Sequence, residues 1–181
     1  MAVKNYRSND LVDGVEHSGN RAHLKCIGLI DDELERPFIG VVNTYNEMHP
    51  GHKHLDEIAQ AAKDGVRREG GIPFEYNTIS ICDGLAQGHI GMCSVLPSRD
   101  VIVDSVELVT EAQRLDGLIL IASCDKIVPA MLMAAGRINI PTVIITGGPM
   151  LPGKFKGRDL SIYEIREAAA QVKQGKMSLS D

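Results

Sequence analysis

Short apolar runs alternate along the chain with stretches of helical periodicity. Phe38 to Val42 (FIGVV) is a five-residue apolar run behind Pro37, short enough for a buried strand. Residues 53 to 69 follow with Leu55, Ile58, Ala59, Ala62 and Val66 on one helical face, and Gly70-Gly71 ends that helix. Phe74 to Ile81 is rich in strand formers and predicts a second strand. A glycine-bearing loop then leads to a helix from about Ser98 to Arg114, with Ile102, Val106 and Val109 inward and Asp116-Gly117 as its stop. Leu118 to Ala122 (LILIA) is the strongest strand signal. Residues 128 to 137 predict a short apolar helix with Pro129 in its first turn, where a missing N–H costs little. Thr142 to Thr146 predicts the last strand, and Ser161 with Glu164 forms a capping box for a helix ending near Gly175. A further helix is expected around His17 to Leu29. Strands alternating with helices predict an α/β fold, a three-layer α/β/α domain with a mainly parallel sheet.

The chain's 181 residues suit one domain of ordinary size, with no repeat and no low-complexity tract. Hydrophobic residues at 44% and charged residues at 24% exclude a disordered or fibrous class. A net charge of −5 and the absence of tryptophan argue against nucleic-acid binding, since neither a basic footprint nor a base-stacking platform can be built. No apolar stretch is long enough to span a bilayer and the first residues lack a secretory core, so no membrane role and a cytoplasmic location are expected.

Ligands in open α/β sheets bind beyond the carboxyl ends of the strands. Four segments sit there: residues 43–47, Cys82-Asp83-Gly84, Ser123-Cys124-Asp125-Lys126, and residues 146–149. Cys124-Asp125-Lys126 places a thiol, a carboxylate and an amine at one strand exit. It reads either as a solvated Asp–Lys pair or as a soft ligand for iron beside a hard ligand for a divalent cation. Asp83 supplies the second carboxylate that a Mg²⁺ site with open water positions needs, with Gly84, Gly88 and Gly91 shaping the loop. The four cysteines, Cys26, Cys82, Cys93 and Cys124, form no C-x-x-C pair; apart from a ligand role they read as small buried hydrophobes. His49, His52 and His54 crowd into six residues, either as a metal or substrate site or, more ordinarily, as exposed or locally bonded histidines at a helix entry. Gly148 to Lys154 imitates a phosphate loop, but Phe155 stands where a hydroxyl is required and two prolines remove backbone donors.

These residues resemble the dihydroxy-acid and phosphogluconate dehydratase family. The likeness runs through PGHKHL (50–55), EYNTI (75–79), DGLAQGHIGM (83–92), LPSR (96–99), DSV (104–106), SCDK (123–126), NIP (139–141) and GGPM (147–150), in register over about residues 5 to 170. The resemblance implies a hydro-lyase in which Asp83, Asp125 and a carbamylated Lys126 bind Mg²⁺ and Cys124 ligates an iron–sulfur cluster, [2Fe-2S] or [4Fe-4S]. It implies an α/β/α fold, a small dihydroxy acid as substrate, and a homodimer. The favoured reaction is dehydration of 2,3-dihydroxy-3-methylbutanoate and its 3-methylpentanoate homologue to the 2-keto acid, in valine and isoleucine biosynthesis. A sugar-acid dehydratase acting on an aldonate or 6-phosphogluconate is the alternative within the family, and a non-catalytic α/β binding module the alternative outside it.

Two departures stand out. Many members carry a cluster cysteine where this chain has Gly51, others share the Pro-Gly-His form, and Cys82 or Cys93 offer themselves as substitutes. Members are also much longer, with the base, another cluster cysteine and a further metal-binding Glu in a second domain. Residues 1–181 are therefore expected to be the N-terminal domain of a longer dehydratase, with no catalytic base of its own and inactive alone.

Overall fold

The computed structural model describes residues 5–179, which divide into two compact units, one ending at Gly148 and one starting at Pro149. In the first unit three short helices, α1 (Asn9–Val12), α2 (Ser18–Cys26) and α3 (Asp31–Leu34), precede β1 (Phe38–Asn43). Then come α4 (Leu55–Arg68), β2 (Ile72–Asn77), α5 (Asp83–Ala86), a 3₁₀ turn (Ile90–Ser94), α6 (Pro97–Ala112), β3 (Gly117–Ala122), α7 (Ile127–Ile138) and β4 (Thr142–Thr146). The four strands form one parallel sheet in the order β2-β1-β3-β4.

Alternation along the strands sorts side chains into two cores. Phe38, Val42, Leu118, Leu120 and Ala122 face α6 and α7, joining Ile102, Val103, Val106, Ile127, Ala130, Met131 and Ala134. Val41, Ile119 and Ile121 point the other way, onto Leu55, Ile58, Ala59 and Ala62 of α4. Helices on both faces of a parallel sheet make the three-layer α/β/α arrangement, and strands buried on both sides explain why β1 and β3 read as unbroken apolar runs. On α6 the inward positions include Val103, which the sequence pattern passes over, while Val109 is only half-buried.

The second strand corrects an expectation. It covers residues 72–77 rather than 74–81, because its ladder runs out with β1: Asn43 opposite Asn77 is the last pair, and the Thr78 N–H closes it on the Asn43 carbonyl. Thr142–Thr146 is also not the last strand. In the second unit Gly153–Phe155 (β5) and Arg158–Leu160 (β6) form an antiparallel hairpin, followed by α8 (Ile162–Lys173), where the Ser161 N–H donates to Glu164 as the capping box predicts. Lys154 lies on β5 with no helix beginning there, so the phosphate-loop imitation has no phosphate-loop structure.

One carboxylate ties the N-terminal segment to the sheet. Asp116, just before β3, accepts the Phe38 N–H at 2.7 Å and the Ser8 N–H at 3.0 Å. Charge-assisted bonds of this kind contribute about 1.5–3 kcal/mol each, less where water can substitute. Asp116→Ala is expected to cost about 2 kcal/mol, read as a lowered urea midpoint with an unchanged slope. A midpoint equal to that of the unsubstituted protein would remove this tie from the account.

Candidate metal centre

With strand order β2-β1-β3-β4, the chain leaves β1 toward one edge of the sheet and leaves β3 toward the other. The resulting crevice lies between the carboxyl ends of β1 and β3, the place where such sheets bind ligands. His52, fully buried, fills its floor. Its Nδ1 lies 2.7 Å from the carbonyl oxygen of Thr44, just past β1, and its Nε2 lies 3.0 Å from that of Ser123, just past β3. Burial lowers its pKa, against the pull of the two carbonyls. Nearby, Gly147 at the end of β4 comes so close that a Cβ there would stand 2.6 Å from Leu55 Cδ2, a distance only glycine permits. Half-buried His54 reaches the Gly147 carbonyl at 2.9 Å.

On this floor the four residues singled out at the strand exits come together. Cys124 has φ of +73°, a left-handed conformation that costs a residue with a Cβ about 1 kcal/mol or more. Its thiol lies 3.4 Å from Asp83 Oδ1 and 3.7 Å from Asp125 Oδ1. Lys126, whose side chain is only 2% exposed, donates to Asp83 Oδ1 and to Cys124 Sγ, both at 3.1 Å, with Asp125 Oδ1 at 3.9 Å. One ligand atom each from Asp83, Cys124 and Asp125 lies within 4.8 Å of the others. Asp83 is the first residue of α5, carried there from the end of β2 by residues 78–82.

The electrostatics tie the group together. Burial alone would raise the Asp83 pKa, but the bond and charge of Lys126, with hydrogen bonds from Cys124 and the Gly84 backbone, together outweigh it and hold the carboxyl below its ordinary value. Burial opposes the Lys126 charge as well, yet Cys124 and Asp83 keep its pKa raised. For Cys124 burial wins over Lys126, so the thiol stays protonated above its usual range. Three negative or potentially negative donors thus converge on one buried ammonium. That donor set fits a metal site: a cation could replace the ammonium charge, and a bound metal would take up the thiol as thiolate with release of its proton.

Cys26 and Cys93 are exposed, contrary to the expectation of small buried hydrophobes, and Cys82 is half-buried beside Asp83. The histidine-rich segment also departs from its ordinary reading. His49 and His52 are buried rather than exposed, their rings 3.9 Å apart. Spacing alone does not reveal this, because the His52 ring is held from the β3 exit, remote in sequence, and His49 packs against that ring.

Residues 36–181 match the family model described as dihydroxy-acid/6-phosphogluconate dehydratase, N-terminal. The chain belongs to that family. A dihydroxy-acid dehydratase of Pyrococcus furiosus is 53% identical over 175 residues, covering 97% of this chain and 32% of the relative. Proteins of the same name from Methanothrix thermoacetophila and Desulfitobacterium hafniense are 55% and 48% identical, over 89% and 93% of this chain and 29% and 30% of their own lengths. The chain spans about a third of the length of these dehydratases. No helix among the described residues is long and apolar enough to cross a membrane.

Proposed function

We propose that residues 1–181 are the N-terminal domain of a hydro-lyase that removes water from a 2,3-dihydroxy carboxylic acid to give a 2-keto acid. The observation that carries this reading is the convergence of Asp83, Cys124 and Asp125 around buried Lys126, in a chain about half identical to proteins named dihydroxy-acid dehydratase. The favoured substrates are 2,3-dihydroxy-3-methylbutanoate and its 3-methylpentanoate homologue, precursors of valine and isoleucine.

Asp83 and Asp125 would hold Mg²⁺, joined by Lys126 as a carbamate, and Cys124 would hold an iron–sulfur cluster, [2Fe-2S] or [4Fe-4S]. When bound, Mg²⁺ supplies charge stabilisation for the substrate carboxylate and C2 hydroxyl, and cluster iron supplies Lewis acidity for the C3 hydroxyl. Carbamylation joins the Lys126 nitrogen to CO₂ with loss of two protons from the ammonium, turning a buried cation into an anionic oxygen ligand. Beside the Asp83 carboxylate, 3.1 Å from the Lys126 nitrogen, that anion would be held only together with a cation shared by the two. His52 braces the Ser123 carbonyl and so fixes the loop that presents Cys124 and Asp125. The base that takes the C2 proton belongs to the remainder of the protein, and the domain alone is expected to be inactive. Four free thiols suit the reducing cytoplasm in which such clusters persist, and a homodimer completes the reading.

The family description names 6-phosphogluconate beside dihydroxy acids, which supports a sugar-acid dehydratase as the second reading. Anaerobic assay of the full-length protein with 2,3-dihydroxy-3-methylbutanoate, gluconate and 6-phosphogluconate, following 2-keto acid, separates them. Turnover of the branched acid is expected. Turnover of the sugar acids alone would move the assignment, and silence on all three with metals bound would overturn it.

A further inference from the structure

Parallel sheets are found with both faces covered, and this sheet is short of one helix. Helices pack about 8–10 Å apart and strands lie about 4.8 Å apart, so one helix shelters about two strands and a four-stranded sheet takes a pair on each face. One face has its pair, α6 and α7. The other has α4 alone, which lies against β2, β1 and β3 and leaves β4 largely uncovered. Side chains mark the gap. Ile144 turns toward the core under α7, while its neighbour Val143 points the other way and is 59% exposed. Ile119 of β3 and Ile145 of β4 are only half-buried there.

Ala62, Gly65 and Val66 of α4, with Ile119, Pro141 and Val143, line a trough of about 800 Å³. A Cβ on Gly65 would meet nothing within 4 Å. Of the charges at the rim, Arg7 already pairs with Glu111 and Asp116 already accepts two backbone N–H groups, so the trough calls for an apolar occupant rather than a charged ligand. Chain direction says where that occupant comes from. The step from β1 to β2 moves toward one edge and lays α4 on this face. The steps from β2 to β3 and from β3 to β4 move toward the other edge and lay α6 and α7 on the opposite face, as right-handed crossovers require. The N-terminal helices are engaged elsewhere, Val12 and Leu34 joining the opposite core. A connection that lays a second helix beside α4 therefore has to turn back after β4. The described residues after β4 form a unit of their own. In the Pyrococcus furiosus relative the matched 175 residues are 32% of the length, so chain enough for such a helix lies outside the match.

We propose that this trough is the seat of an apolar helix face from the part of the chain beyond residue 181, laid beside α4 over β3 and β4. It rests, within the proposed function, on residues 1–181 being the first domain of a longer protein. The helix buries Val143 and Ile119 and completes the second layer of the sheet. Whichever way it runs, one of its ends lies at the carboxyl ends of β3 and β4, beside the crevice, and so ties the rest of the protein to the sheet that presents Cys124.

The test uses the full-length protein with a photoreactive diazirine side chain placed at residue 143. After irradiation the expected product still migrates as a single chain on a denaturing gel, and mass spectrometry of its peptides joins residue 143 to residues beyond 181. In a second variant, Val143→Cys, the new thiol is expected to react with a maleimide at least about 10-fold more slowly in the native protein than in urea. A cross-linked species of doubled mass would give the face to a second copy, and attachment before residue 181 would close it from within the domain. A thiol as reactive in the native protein as in urea would leave the face open. Each of these overturns the proposal and leaves the dehydratase reading standing. A reading frame that stops at residue 181 would overturn both.

Discussion

Cys124→Ser in the full-length protein is expected to bring cluster iron, and dehydration with it, below about a tenth of the parent level. Serine is nearly isosteric and can keep the bonds that Cys124 makes with Asp83 and Lys126, so the loop should survive. What changes is softness: a hydroxyl stays protonated at neutral pH and is a poor ligand where thiolate selects iron. Removing a group behind a ligand already costs about 10- to 100-fold in metal affinity, and losing the ligand itself costs more. Iron assay and the visible absorbance of the reconstituted protein decide the matter; parent-like iron would dismiss Cys124 as a ligand. Cys124→Gly provides the complementary control. It deletes the thiol and also relieves a φ of +73°. The metal-free glycine variant is therefore expected to melt no lower than the parent while holding no cluster.

The second large effect is expected at Asp83, and it is asymmetric. Asp83→Ala leaves the Lys126 ammonium, 2% exposed, with the thiol and a more distant, 78% exposed Asp125. Breaking a fully buried pair costs about 3–5 kcal/mol. Asp83 is itself 39% exposed, so part of its attraction is already screened and about 2 kcal/mol is the expected loss for the metal-free protein. Lys126→Met is expected to cost about 1 kcal/mol or less, since the carboxylate it leaves behind can turn to water. Urea unfolding of the two variants measures the difference, and equal losses would contradict the burial argument. Both variants are expected to lose Mg²⁺-dependent activity by about 100-fold or more.

How far the sequence reveals such a molecule depends on whether the deciding contact is local. β1 and β3 are legible because burial on both faces leaves a continuous apolar signature, and edge strand β4, with Val143 exposed, is legible from its run of β-branched residues. The end of β2 is not. Thr78 and Ser80 are buried and continue the alternation, yet β1 has no residue left to pair with them. The helices α1, α3 and α5 are single turns, too short for any periodicity to register. At the candidate site, Asp83, Cys124, Asp125 and Lys126 are legible from a rule about strand exits, and the structure brings all four together. The burial of His52 is not, because its ring reaches the Ser123 carbonyl, contributed by a different strand exit remote in sequence.

The strand order also sets a timetable. Central β1 must wait for β3, pairing Ile39 with Gly117, before the crevice exists, and parallel pairings between remote segments are slow to form. Asp83 and Cys124 flank the exit of β1 from opposite sides, so neither meets the other in a nascent chain. Iron delivered early would find only scattered thiols, two of them, Cys26 and Cys93, at the surface even in the finished molecule. On the proposed reading of Cys124 as a cluster ligand, loading of the centre would come after the sheet closes. On that reading, an expression system that supplied cluster faster than the chain folds would populate misligated protein, and slower synthesis would be expected to raise the properly loaded fraction.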